Sequence, residues 1–215
     1  MRIGGHILAA IALVAVTVIS GAASASSTKS NRQAMIPPST SMPALKAANA
    51  PLGWTEFCAR YEGECEVSTL QPVDVTLDGK TMRLLTRIND EVNAEIEPIT
   101  DQEHWGVAER WDYPDDGKGD CEDFVLEKRK RLMKAGLPRQ ALLISVVRDR
   151  KGDGHAVLLV KTDRGDYVLD NQEPAILSWS ETGYGFVKRQ AQDNPNHWVS
   201  LGEPRTSVVT VGNPR

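Results

Sequence analysis

Gly119-Asp120-Cys121-Glu122-Asp123-Phe124 lies where a glycine-containing loop gives way to a strongly helical run. From Cys121 to about Ala135 there is no proline or glycine, and Asp120 is a competent N-cap. Gly136 followed by Pro138 supplies the stop. Helical spacing places Phe124, Val125, Lys128, Leu132 and Ala135 on one face, apolar enough to pack on a sheet. Strand-like runs follow at 141–147, 155–160 and 166–171, with shorter ones at 175–179, 184–189 and 198–201. Upstream, Leu85, Ile88, Val92 and Ile96 mark an amphipathic helix over 81–96, closed by Glu97-Pro98. Helices first and strands later predict an α+β fold in which the cysteine helix packs on an antiparallel sheet.

The ordinary fate of a lone cysteine is to be a small buried hydrophobe. Cys121 differs in its place and company. A helix N-terminus lowers a thiol pKa through its unpaired N–H groups and the positive end of the macrodipole, and the thiolate is the nucleophile. His155 opens an apolar strand after the turn Lys151-Gly152-Asp153-Gly154, and Asp170 lies at the end of the next strand. If those strands form a hairpin around Thr162-Asp163-Arg164-Gly165, positions 155 and 170 fall near the same end of the sheet. Cys121, His155 and Asp170 can then align as nucleophile, base and orienter, which points to cysteine hydrolase chemistry. The Cys121 backbone N–H is the evident oxyanion donor; a second one cannot be named from sequence.

Asp120, Glu122 and Asp123 would each oppose thiolate formation, because nearby negative charge raises the pKa of an acid. A divalent cation held by carboxylates would offset them, and hard oxygen ligands on a loop suit Ca²⁺ better than zinc. The competing account is that these acids only cap the helix and favour its dipole.

The blocks Trp111-Asp112-Tyr113-Pro114, Gly119 to Phe124, His155-Ala156-Val157 and Val168-Leu169-Asp170-Asn171 resemble those of the bacterial transglutaminase-like cysteine proteinases. The resemblance runs from about Trp54 to Leu201. It implies a papain-like/transglutaminase-like α+β core, with Cys121 as nucleophile, His155 as general base and then acid, and Asp170 fixing the imidazole tautomer. Adhesin-processing members bind calcium through residues that correspond to Asp120 and Glu122, with Asp123 a weaker candidate. They clip large biofilm adhesins near their N-termini and are restrained by an inhibitory receptor in the inner membrane. Trp111, just ahead of the cysteine loop, is expected to line the substrate cleft, although core packing is the commoner role of such a residue.

A short positive start at Met1-Arg2, an apolar stretch over 7–19 and Ala23-Ser24-Ala25 predict a secretory signal peptide over 1–25, hence a periplasmic protein. Residues 26–53, rich in Ser, Ala and Pro, are expected to be a disordered linker, 54–203 the domain and 204–215 a tail. In an oxidising compartment Cys58 and Cys65, flanking a short acidic loop, most simply form a disulfide, leaving Cys121 as the free thiol. Two thiols without an adjacent histidine do not suit zinc. The run Lys128-Arg129-Lys130-Arg131 is expected to be a solvated helix face, and His104 and His197 to be structural or surface groups. A net charge of -4 gives no support for nucleic-acid binding. Three classes of function stay open: a protease acting on a protein substrate such as a surface adhesin, a papain-like amidase of cell-wall peptide, and a non-enzymatic module that binds calcium or a partner. Transglutamination would need an amine site, which no residue specifies.

Overall fold

The computed structural model describes Met1, Ile36 and residues 38–202. Strand β1 (Ala47–Ala48) leads into helices α1 (Leu52–Arg60), α2 (Glu62–Cys65) and α3 (Gly79–Glu95). Then come β2 (Glu97–Pro98), α4 (Asp101–His104), β3 (Lys118–Gly119) and the cysteine helix α5 (Cys121–Lys134). The second half is strands: β4 (Leu142–Arg148), β5 (Gly154–Thr162), β6 (Gly165–Leu169), β7 (Leu177–Ser178), β8 (Gly185–Gln190) and β9 (Trp198–Ser200). They form an antiparallel sheet in the order β1-β9-β8-β4-β5-β6-β7, while β2 and β3 make a small parallel pair. Helices followed by an antiparallel sheet give the α+β class that the order of patterns predicted.

The central strands read as continuous apolar runs because both faces of the sheet are covered. Ile144, Val146, Ala156, Leu158, Val160 and Leu169 face the layer that holds Phe124, Val125 and Leu132 of α5 together with Leu85, Ile88 and Val92 of α3. Leu143, Val147, Val157, Leu159 and Val168 face the other way, onto Met42 and the partly buried Trp179, Tyr184 and Phe186. Each fully buried Leu or Val contributes roughly 1.5–3 kcal/mol over its exposed state, so register is strongly specified: a slip of one residue would exchange the two layers.

Helix α5 ends where glycine and proline foretold. Gly136 N–H donates to the Met133 carbonyl (2.9 Å) and Leu137 N–H to the Leu132 carbonyl (3.1 Å), which satisfies the last turn. Ala135 is the exposed C-cap rather than part of the packing face. Helix α3 begins two residues earlier than expected, because Asp78 accepts from Thr81 N–H (2.7 Å) as its N-cap.

Three expectations are corrected by packing. Residues 38–53, assigned to a disordered linker, belong to the folded unit: Met42 is buried in the second apolar layer, its N–H donates to Asp166 Oδ2 (2.7 Å), and β1 pairs with β9. The basic run is not one solvated face. Lys128 and Arg129 are buried, Arg129 Nε donating to the Leu142 carbonyl (3.2 Å), and only Lys130 and Arg131 carry their charge outward, to Glu127 and Glu95. The acidic stretch between the paired cysteines is helix α2 rather than a loop, and Cys58 and Cys65 are joined as a disulfide that ties α1 to α2. The expected signal peptide and C-terminal tail lie outside the described residues. Among the described residues no helix is long and apolar enough to cross a membrane.

Candidate active site

Cys121 is the first residue of α5, and the sequence around it explains how it is held. Gly119 has no room for a side chain: a Cβ there would lie 2.6 Å from Asp123 Oδ2. That close approach lets Asp123 reach back over the helix start, where Oδ2 accepts from Asp120 N–H (3.3 Å) and Oδ1 from Asp112 N–H (2.7 Å). Trp111-Asp112-Tyr113-Pro114 is thereby pinned to the cysteine loop through its backbone. The sulfur rests against β5, accepting from Ala156 N–H (3.4 Å), and its thiol proton points at Glu122 Oε2 (3.1 Å). Cys121 is the free cysteine among the described residues.

His155 stands one residue from that contact, in the second register position of β5. Its Nε2 is 2.8 Å from Asp170 Oδ1, with both side chains almost entirely buried. Asp170 follows directly on β6. The register Leu158↔Leu169 places it across from Val157, two positions from His155 and on the same face of the sheet. The carboxylate also accepts from Gln172 N–H (3.0 Å) through Oδ1 and from the Tyr184 hydroxyl (2.5 Å) through Oδ2. Burial works against its charge, but the bonds to His155 and Tyr184 outweigh it and hold the acid below the ordinary aspartate range. An ionised Asp170 only accepts, so Nε2 carries the proton and Nδ1 is left as the basic nitrogen. Among the described residues no hydrogen bond joins His155 to the sulfur; Nδ1 faces Gln172 Nε2 at 3.4 Å.

The electrostatics of the sulfur run against a thiolate. Burial raises the Cys121 pKa well above that of a free thiol, and the charges of Glu122 and Asp120 raise it further. Two overlapping groups of buried side chains, Asp101 with Asp120 and Asp123, and Asp120 with Cys121 and Glu122, bring their ligand atoms within 4.8 Å of one another. Burial, with Asp101 beside it, pushes Asp120 up to about 7. Glu122 and Asp123 are also raised, by burial first and by Asp120 second. Asp120 and Glu122 are buried, and among the described residues their carboxylates, in contact with one another, fall short of a full set of hydrogen-bond donors. Buried carboxylate oxygens short of hydrogen bonds carry a desolvation cost that a cation would remove, and the Asp101, Asp120 and Asp123 group is an all-oxygen set that matches a hard divalent ion. The carboxylates therefore fit calcium.

Asp101 was not foreseen from the sequence. The parallel pairing Pro98↔Gly119 delivers it, by setting the start of α4 beside the start of α5. A capping box around Thr100 and Glu103 opens that short helix, and the Thr-x-x-Glu spacing was the available signal for its position. Trp111 is corrected from cleft to core. It is wholly buried, packs edge-on to Trp54, and fills the space beside Gly53, where a Cβ would lie 2.3 Å from its ring. His104 bonds Asp116 (2.8 Å) and stacks on Trp105, and His197 pairs with Asp193 (3.2 Å), so neither belongs to the site.

The family model of the bacterial transglutaminase-like cysteine proteinases (BTLCP) matches residues 44–206. The chain belongs to this family. It is therefore a cysteine peptidase by descent, and a proteinase domain that opens at residue 44 agrees with the inclusion of β1 in the sheet. Among solved structures, this proteinase is similar to calcium-bound LapG of Legionella pneumophila, at 26% identity and TM-score 0.49 over 60% of this chain and 75% of that one. It is also similar to EGTA-treated LapG of the same organism, at 25% identity and TM-score 0.47 over 60% and 72% of the respective chains. No curated protein matches it significantly.

Proposed function

We propose that this proteinase is exported to the periplasm and cleaves a protein substrate through a thioester formed at Cys121, with His155 and Asp170 as its partners. The observation that carries this is the buried bond between His155, on the strand against which the Cys121 sulfur rests, and Asp170, just past the end of the neighbouring strand. Cys121 Sγ attacks the scissile carbonyl while His155 Nδ1 takes the thiol proton and passes it to the leaving amine; water, deprotonated by the same nitrogen, then releases the acid and the free thiol. Asp170 keeps the proton on Nε2 and steadies the imidazolium. The Cys121 N–H, in the unpaired first turn of α5, is available to the oxyanion.

Asp120 and Glu122, with Asp101 and Asp123 beside them, would hold calcium. A cation held by these residues would supply positive charge against the carboxylates that disfavour a thiolate. The Cys121 thiol donates to Glu122 Oε2 (3.1 Å), so an ion that engaged the Glu122 carboxylate would compete for that contact. A surface adhesin is the substrate class, and an inhibitory inner-membrane receptor the regulator, to which the family resemblance points.

The test is the rate of Cys121 alkylation by iodoacetamide across pH, with calcium and with chelator, in wild type and His155→Ala. Rapid alkylation near neutral pH that needs both His155 and calcium is expected. A slow thiol of ordinary pKa under every condition would overturn the mechanism.

A further inference from the structure

Asp170 is a buried anion with two oxygens to satisfy, and His155 needs only one of them. Oδ1 accepts from His155 Nε2 (2.8 Å) and Gln172 N–H (3.0 Å). Oδ2 accepts from the hydroxyl of Tyr184 (2.5 Å), which stands just ahead of β8, 14 residues along the chain. The tyrosine ring also meets the imidazole edge-on, with centroids 5.9 Å apart and planes at 86°. One side chain thus touches both members of the pair, the acid through its hydroxyl and the base through its ring.

The surroundings hold that side chain firmly. Gly183, at φ +73°, turns the backbone just before it, a conformation open to glycine at little cost. Tyr184 N–H donates to Thr182 Oγ1 (3.2 Å), and Thr182 Oγ1 in turn donates to the Trp179 carbonyl (2.8 Å). Arg150 anchors the same turn from outside: its Nε donates to the Thr182 carbonyl (2.8 Å) and its guanidinium lies 5.7 Å from the Tyr184 ring centre. Burial and the Asp170 anion both raise the phenol pKa, so the hydroxyl stays protonated and donates.

We infer that Tyr184 is a positioning residue of the active site, fixing the rotation of the Asp170 carboxylate and thereby the plane and tautomer of His155. A carboxylate bonded only on Oδ1 can turn about its χ2 bond, which is a broad torsion; the bond to Tyr184 removes that freedom. The ring at the same time keeps water off the His155–Asp170 bond, which strengthens it in a low-dielectric site. This inference rests on the proposed roles of Cys121, His155 and Asp170.

Tyr184→Phe removes the hydroxyl and keeps the ring. Its kcat should fall on the order of tenfold with KM unchanged, as expected when the orientation of the base is loosened and no contact to substrate is lost. In proton NMR the His155 Nε2–H resonance should move upfield and exchange faster with water. Incorporating 3-fluorotyrosine at 184, which makes the phenol a stronger donor without altering the packing, should shift the same resonance measurably in a fully folded protein. An unmoved His155 resonance in both proteins, or wild-type kcat in the folded Tyr184→Phe variant, would overturn the inference. The NMR readout does not depend on turnover. Were the peptidase mechanism itself wrong, wild type would fail in the activity assay while the resonance still responded to Tyr184.

Discussion

In the proposed mechanism three side chains carry the chemistry, and each tolerates replacement differently. Cys121→Ala and His155→Ala remove the nucleophile and the proton carrier, so each is expected to abolish peptide cleavage with the fold retained. Asp170→Asn can still accept from Nε2–H and from Gln172 N–H, but its amide no longer stabilises imidazolium. A kcat loss of about 10²–10⁴-fold with a measurable remainder is expected from steady-state assays. Activity retained in Cys121→Ala would remove the thioester from the mechanism. The candidates for the triad could be named from the sequence because each sits beside a local signal: a helix start for Cys121, a turn before an apolar run for His155, a strand end for Asp170. Tyr184 and Asp101 had no such signal pointing at the site. A tyrosine at the edge of a strand and an aspartate in a short helix are common, and only the sheet and the β2–β3 pairing bring them to Asp170 and Asp120.

At the scale of the element, α5 is unusual for what it buries. Lys128 is fully enclosed and its Nζ lacks a hydrogen-bond partner. Burial lowers its pKa to about 7, against the opposing pull of Asp170 and Asp90. The unfolded chain, with an ordinary lysine pKa of about 10.4, then holds more protons than the folded one between about pH 7 and 10. Stability should accordingly rise with pH across that window. Lys128→Met removes the cost and the slope together. Urea unfolding is expected to show the variant more stable by ~1–4 kcal/mol at pH 7, with the gap narrowing at pH 9. A gap that does not change with pH would mean the ammonium finds a partner. Periodicity placed Lys128 on the packing face of α5, yet a run of four basic residues reads as solvated by composition. The conflict is decided by geometry: Lys128 and Arg129 are enclosed, Arg129 against β4, while Lys130 is exposed and Arg131 reaches out to Glu95 at the end of α3.

For the whole molecule, calcium held by the carboxylate cluster as proposed would couple folding to the ion. Asp120 carries a folded-state pKa of about 7, far above that of an exposed aspartate, and Asp101, Glu122 and Asp123 shift the same way. A raised carboxyl pKa means the folded state binds more protons than the unfolded one between about pH 4 and 7. In chelator, stability should therefore fall as pH rises through that range. Calcium at 100 times its Kd would add about 2.7 kcal/mol, roughly 5–10 °C in Tm for a domain of this size. The expected result in thermal melts is a calcium increment larger at pH 7.5 than at pH 5 and lost in Asp120→Asn with Glu122→Gln. Identical melts in calcium and chelator at both pH values would leave these acids as helix caps alone.

The sequence by itself determined the helix that begins at Cys121, the strand that carries His155 and the one that ends just before Asp170, the fold class and the disulfide, because helix signals, apolar runs and close cysteine pairs are local properties of a chain. Its local patterns could not say which charged residues would be enclosed or which distant ones would meet. Lys128 inside α5, Trp111 in the core, Asp101 beside Asp120, and Tyr184 on Asp170 all follow from how helices seat on the sheet and from the register of its strands. Contacts between residues far apart in sequence exist only once the chain has closed on itself, and the active site is composed chiefly of those.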